Sequence, residues 1–178
     1  MLSRQLLTIS IIVLALGTSA CRKAEDSGSD SGPTTAATEA VELKTLRLNI
    51  SEKSLKQSKD FEYFAAGHFG EKTQYNGRIA DEFGGAYAVH CRSGLPFSIE
   101  VKYQGTGIKR EQAMQVMNRL LPADAGEVIE HDDEDLKKMD ASQAAEFFYY
   151  KGGPRTELLY ADKSNQNVVQ INVWTKNG

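Results

Sequence analysis

The chain predicts an α+β domain: a mainly antiparallel sheet of about six strands, built from a hairpin and a C-terminal meander, with helices packed on one face. Two alternating patterns and the stretch between them carry that prediction. Tyr87, Val89 and Cys91 alternate with Ala86, Ala88, His90 and Arg92. After Ser93-Gly94-Leu95-Pro96 a second alternation runs through Phe97, Ile99, Val101 and Tyr103. Two period-two runs around a short loop with Gly and Pro define an antiparallel hairpin with one apolar and one wet face. Near the C-terminus, residues 146–151, 156–161 and 168–175 form three further runs, linked by Gly152-Gly153-Pro154 and by Asp162-Lys163-Ser164-Asn165-Gln166. They read as a meander in whose last strand Val169, Ile171 and Val173 face one way and Gln170 and Asn172 the other. Between hairpin and meander, Ala113, Met117 and Leu120 recur at helical spacing, joined by Met114, Val116 and Leu121. Arg110, Glu111, Gln115, Asn118 and Arg119 hold the opposite side, so residues 108–121 predict an amphipathic helix, stopped by Pro122 and laid across the hairpin's apolar face.

The remaining elements carry weaker signals. Leu46, Leu48 and Ile50 alternate as a half-buried strand, and the opposite phase of Val41 and Leu43 puts a bulge or strand start near Thr45. Residues 51–66 read as a short helix ended by Gly67, followed by a loop through Asn76-Gly77 and Gly84-Gly85. Residues 126–131 read as a short strand. Residues 132–145 read as one helix or two short ones, with Asp133 as cap and Leu136 and Met139 on the buried side.

Residues 1–20 have the three-part layout of a secretory signal: Arg4, an apolar run over residues 6–16 broken only by Thr8 and Ser10, then Gly17-Thr18-Ser19-Ala20. The run is too short to span a bilayer. Cys21 directly after small residues resembles the site at which bacterial lipoproteins are cut and lipidated. Thr18 departs from the Leu usual three residues before that Cys, and Thr18 with Ala20 also suits an ordinary signal cut. From Arg22 to Ala40 there is no Val, Ile, Leu, Met, Phe, Trp or Tyr. Such a segment has nothing to bury and predicts a disordered tether over residues 21–40, with an end-to-end distance of about 25 Å. A polar tether straight after Cys21 favours lipid attachment there. Residues 41–178 then form a single domain.

The whole chain has a net charge of -3, and loss of Arg4 with the signal takes it to about -4. Mild acidity without a clustered basic face excludes nucleic acid as a partner. No second segment reaches spanning length, so membrane contact is expected through the lipid only. With Cys21 lipidated, Cys91 has no partner in the chain and is expected as a buried free thiol; with the ordinary cut, a Cys21–Cys91 bond is the alternative.

No catalytic set, metal set or cofactor is assigned. His90 and Cys91 are neighbours on a strand and therefore point to opposite faces, which rules against a shared nucleophilic pocket. The Gly-x-Ser-x-Gly, Ser-x-x-Lys and His-Glu-x-x-His patterns are missing. Gly105-Thr106-Gly107 before a helix with Lys109 and Arg110 can bind an anion, but the turn alone explains the glycines. The sharpest compositional feature is residues 123–135, where seven of thirteen residues are acidic (Asp124, Glu127, Glu130, Asp132, Asp133, Glu134, Asp135) and none is basic. The spacing is not that of a Ca²⁺ loop, and His131 among the acids is no specific ligand set. The run reads as a solvated loop leading into a helix, or as an acidic surface (Glu127, Glu130, Asp132, Asp133, Asp135) for a basic protein partner.

Phe147-Phe148-Tyr149-Tyr150 puts aromatic rings on both faces of one strand, and Trp174 shares a face with Gln170 and Asn172. If one sheet face is open, Tyr150 and Trp174 are the rings expected to mark a binding surface for protein or sugar. Together these features imply a lipid-anchored protein-binding module on the periplasmic face of a bacterial membrane, the outer one. An inhibitor or immunity protein against an envelope-attacking enzyme is its specific form. An accessory subunit of an envelope assembly and an unrecognised hydrolase are the alternatives.

Overall fold

The computed structural model describes residues 39–64, 72–137, 144–161 and 167–176, with only the backbone of Asp135 and Leu136. The signal segment, Cys21, the tether up to residue 38, Met139 and the residue 162–166 loop lie outside the described residues.

Nine antiparallel strands make one sheet: β1 (Phe61–Phe64), β2 (Lys72–Gly77), β3 (Ala86–Arg92), β4 (Leu95–Lys102), β5 (Ile108–Lys109), β6 (Val128–Asp132), β7 (Ala144–Tyr150), β8 (Arg155–Tyr160) and β9 (Asn167–Trp174). Their spatial order is β1-β2-β3-β4-β9-β8-β7-β6, with the short β5 pairing β9. Among the described residues, the α-helices α1 (Glu52–Gln57), α2 (Arg110–Leu120) and α3 (Glu134–Lys137) complete an α+β fold. Each half is a helix followed by a four-stranded meander, α1-β1-β2-β3-β4 and α2-β6-β7-β8-β9. The last strands of the two meanders, β4 and β9, pair at the centre around Glu100 and Asn172.

α2 packs on one face because Ala113, Val116, Met117 and Leu120 fall on one stripe, and all four are buried. Val116, Met117 and Leu120 each contribute about 1.5–3 kcal/mol through burial. They meet Val89, Cys91, Ile99, Val101, Leu158, Ile171 and Val173 in one apolar core, to which α1 adds Leu55. The β3–β4 turn needs only Ser93 (φ 52°) and Gly94 (φ 80°), both left-handed, as tight hairpin turns require. Leu95 and Pro96 therefore belong to β4 rather than to the loop.

Several expectations change. Among the described residues the sheet has nine strands where about six are expected. The alternation over residues 46–50 does not make a sheet strand: Leu46 and Leu48 are buried, but the Leu48 N–H donates to the Leu120 carbonyl at the end of α2. The phase shift near Thr45 is a 3₁₀ turn over Leu43–Thr45 that absorbs one residue. The stretch expected as helix and loop through Asn76-Gly77 contains β1 and β2, paired from Phe61↔Gly77 to Phe64↔Gln74. In β9 a bulge opposite Leu159 and Tyr160 puts Val168, not Val169, on the buried face with Ile171 and Val173.

Candidate interaction surface

The side of the sheet facing α2 carries the core and holds polar groups in buried knots, of which two pin the helix starts. In the second half, Glu146 of β7 is buried and accepts from Arg110 Nε at 3.0 Å and Nη2, from Tyr160 Oη at 2.7 Å, and pairs with His131 Nε2 at 2.8 Å. Burial alone pushes the Glu146 carboxyl up, but Arg110, Tyr160 and His131 outweigh it and hold it below its ordinary range. In the first half, Glu52 accepts from Tyr75 Oη at 2.7 Å and Thr73 Oγ1 at 3.0 Å, which with Lys56 hold it below its ordinary range against burial. Glu52 and Arg110 are the first residues of α1 and α2. Each helix start is thus pinned to the second strand of its own meander, once through an acid and once through a base.

The opposite face is open. Strand register places eight side chains in one line across the sheet: Phe64, Gln74, His90, Ser98, Trp174, Arg155, Tyr149 and Glu130. A second line, two residues further along each strand, holds Glu62, Asn76, Ala88, Glu100, Asn172, Glu157, Phe147 and Asp132. A third and shorter line is Ala86, Lys102, Gln170, Leu159 and Ala145. Among the described residues every large side chain in these lines is half-buried or exposed. Small or central residues, Ser98, Asn172 and Ala145, are shielded by their neighbours.

The middle of the face is a polar ladder. Gln170 Nε2 donates to Glu100 at 3.1 Å and to Asn172 Oδ1 at 3.0 Å, and Asn172 Nδ2 donates to Glu157 at 2.6 Å. Rings occupy the end of the face where the β3–β4 and β7–β8 turns lie. The Arg155 guanidinium stands 4.7 Å above the Trp174 ring, opposite Tyr149. Phe97, left unpaired by a bulge between His90 and Cys91, lies under Arg92 at 4.9 Å and Lys72 at 5.8 Å, with His90 at 6.1 Å. Burial holds the His90 imidazole below its ordinary value, against Glu100 and with Lys102 and Lys72, so it is neutral at pH 7.

Of the expected aromatic pair, Trp174 lies on the open face. Tyr150 does not: it is 6% exposed, on the side of Phe148 and the core. Tyr149 and Phe147 take its place. Which half of Phe147-Phe148-Tyr149-Tyr150 shares a face with Trp174 depends on register through β8, which no single strand reveals. The cations over Phe97 and Trp174 escape sequence reading for the same reason, since each reaches its ring across strands.

The acidic run is spread along an edge. Glu130 and Asp132 fall on the open face of β6, Glu127 pairs with Lys151 at 3.5 Å, and Asp133 pairs with Lys137 at 2.5 Å. Asp132 Oδ1 accepts the Glu134 N–H at 2.9 Å at the start of α3. The Lys137 partner holds the Asp133 carboxyl below its ordinary range. His131 turns away from these acids to Glu146 and stacks on Phe148 at 4.5 Å. Among the described residues no group of three or more His, Cys, Asp and Glu side chains is placed to hold a metal ion.

His90 and Cys91 do point to opposite faces, His90 to the open one and Cys91 into the core. Burial, and then Glu52, pushes the Cys91 thiol up to about 12. The turn before α2 has Gly105 at φ 66° and Gly107 at φ 77°. A Cβ on Gly107 would meet the Val168 carbonyl oxygen at 2.3 Å, so glycine is required there by packing. Beyond the open face, a shallow groove of about 310 Å³ is bounded by Glu42, Asp60, Asp81, Glu82 and Arg119. Asp81 there is fully engaged, accepting from the N–H groups of Phe83 and Gly85 and from Tyr87 and Tyr103 Oη.

Comparison with protein-family models, with curated proteins and with solved structures finds no match for this chain.

Proposed function

We propose that the chain is a protein-binding module of the bacterial cell envelope. In this reading a lipid on Cys21 holds it to the periplasmic face of a membrane, the outer one, and the open face of its sheet attaches to a partner protein. The observation that supports this best is the line of eight side chains from Phe64 to Glu130, with Trp174, Arg155 and Tyr149 adjacent within it. Trp, Tyr and Arg are the residue types that dominate binding energy at protein interfaces. Seven inter-strand steps and three lines give a face of about 35 Å by about 20 Å. That area, on the order of 700 Å², approaches the roughly 800 Å² one partner contributes to a standard interface.

An inhibitor or immunity protein against an envelope-attacking enzyme is the form the acidic β6 margin supports. Glu130 and Asp132 border the open face there. An enzyme acting on anionic envelope polymers presents a basic cleft that such a margin complements. The test is affinity capture from envelope extracts with the wild type and with a Trp174→Ser/Tyr149→Ser double variant. The expected result is a stoichiometric partner on the wild type that the double variant loses. A partner held equally by both takes the interface off the sheet face, and no partner at all removes the binding function.

A further inference from the structure

We propose that the turn end of the open face is a recognition strip for an acidic, extended protein segment. Its elements are the Phe97 cluster with Lys72 and Arg92 and the Trp174 cluster with Arg155. This assignment rests on the open face being the binding surface and names the chemistry it takes.

Three observations carry it. First, the two clusters are continuous. Phe97 precedes Ser98, and Ser98 is the register partner of Trp174, so the two rings sit on adjacent central strands. Second, the three cations are held over rings and, among the described residues, none has a carboxylate partner. A guanidinium stacked on a ring keeps its N–H edges free and gives up little freedom when it binds, which suits two-point recognition of carboxylates. Of the acids of this face, Glu100 is engaged by Lys102 and Gln170, Glu157 by Asn172, and Asp132 by the Glu134 N–H, while Glu62 and Glu130 stand on the two edge strands. Third, the spacing fits a chain. Arg92 on β3 and Arg155 on β8 are three strand steps apart, about 14 Å across the strands, and Arg92 lies two residues beyond the line that holds Arg155; four to five residues of extended chain laid obliquely cover the roughly 16 Å between them.

The mixed sign of the face decides between occupants. Glu100 and Glu157 stand in the next line, two residues along their strands and about 7 Å away. An anionic bilayer or a polyanion laid on the strip meets those carboxylates as well and is repelled. A protein segment with acids at i and i+4 reaches both arginines and leaves the second line to neutral or donor groups. The strip therefore takes discrete carboxylates, not a charged sheet.

Trp174 is the single tryptophan of the chain, so its emission reports directly on the strip. The full chain is titrated at low salt with the capped peptide Glu-Ser-Ser-Ser-Glu-Ser-Ser-Ser-Glu, with its glutamine counterpart, with inorganic phosphate, and with phosphatidylglycerol vesicles. The expected result is a saturable change with the glutamate peptide, at least tenfold weaker at high salt. The glutamine peptide and phosphate give no saturation, and vesicles give none in a Cys21→Ser chain. An Arg92→Gln/Arg155→Gln variant, folded by circular dichroism, loses the peptide response. Equal responses to the two peptides, an unchanged response in the variant, or saturation by vesicles in preference to peptide overturns the proposal. A double arginine variant that still captures the partner lost by Trp174→Ser/Tyr149→Ser overturns the acidic-segment assignment while leaving the binding face standing.

Discussion

At the scale of single residues, the two buried acids make stability depend on pH. Glu146 is 2% exposed and held by three donors, so removing Arg110 leaves a buried carboxylate short of its main partner. Breaking such a pair costs about 3–5 kcal/mol. Arg110 is itself a third exposed, so the expected loss for Arg110→Met lies at the lower end, about 3 kcal/mol by urea unfolding. Glu52 and Glu146 both have folded pKa values below the ordinary 4.5. Their stabilising contribution is complete above that value and is lost as pH falls through the lower folded values. The melting temperature should fall as the pH is lowered through and below the ordinary 4.5, and in a Glu146→Gln variant that fall should be shallower. An equal slope in the two proteins would remove Glu146 from the acid transition. Cys91, 0% exposed and with a raised pKa, should resist a thiol reagent in native buffer and react fully only in denaturant. Rapid native labelling would contradict the face assigned to β3.

At the scale of elements, legibility followed local contrast. The hairpin, α2 and much of the C-terminal meander announce themselves because apolar residues recur at a regular period along each, and they form close to the expected bounds, apart from the β9 bulge and the consecutive rings of β7. β1 and β2 did not. Lys72-Thr73-Gln74-Tyr75-Asn76-Gly77 buries only Tyr75, and Asn76-Gly77 competes as turn chemistry, so pairing with β3 decides its conformation. The 3₁₀ turn at Leu43–Thr45 shows the converse case, where a strand-like alternation is correct about burial and wrong about partners. β6 is an edge strand, and its charges also protect it from pairing with other chains. Replacing Asp132, Asp133 and Asp135 together by Asn should change stability little, because Asn at 132 keeps an acceptor for the Glu134 N–H and the Asp133–Lys137 pair is a surface one. If the β6 margin meets the partner, the same variant associates more slowly and with a flatter dependence on ionic strength, read by stopped flow. Unchanged rates and slopes would confine the interface to the rest of the sheet face.

At the scale of the whole domain, function is a property of register. The signal layout, the acidic run and Trp174 were visible in sequence, but the lines that bring Phe64 and Glu130 onto one surface exist only through seven strand pairings. The consequence is a face with an acidic margin along β6, a polar ladder at its centre and cations over rings at its turn end. Its opposite face is sealed by α2 and the core. The most direct test is hydroxyl-radical footprinting of the chain, free and bound to its captured partner. The account predicts that Trp174, Tyr149, Phe147 and Phe97 become protected together. It is contradicted if those four keep their free-state reactivity while residues outside the open face, such as Ile79 in the groove beside Asp81, are the ones protected.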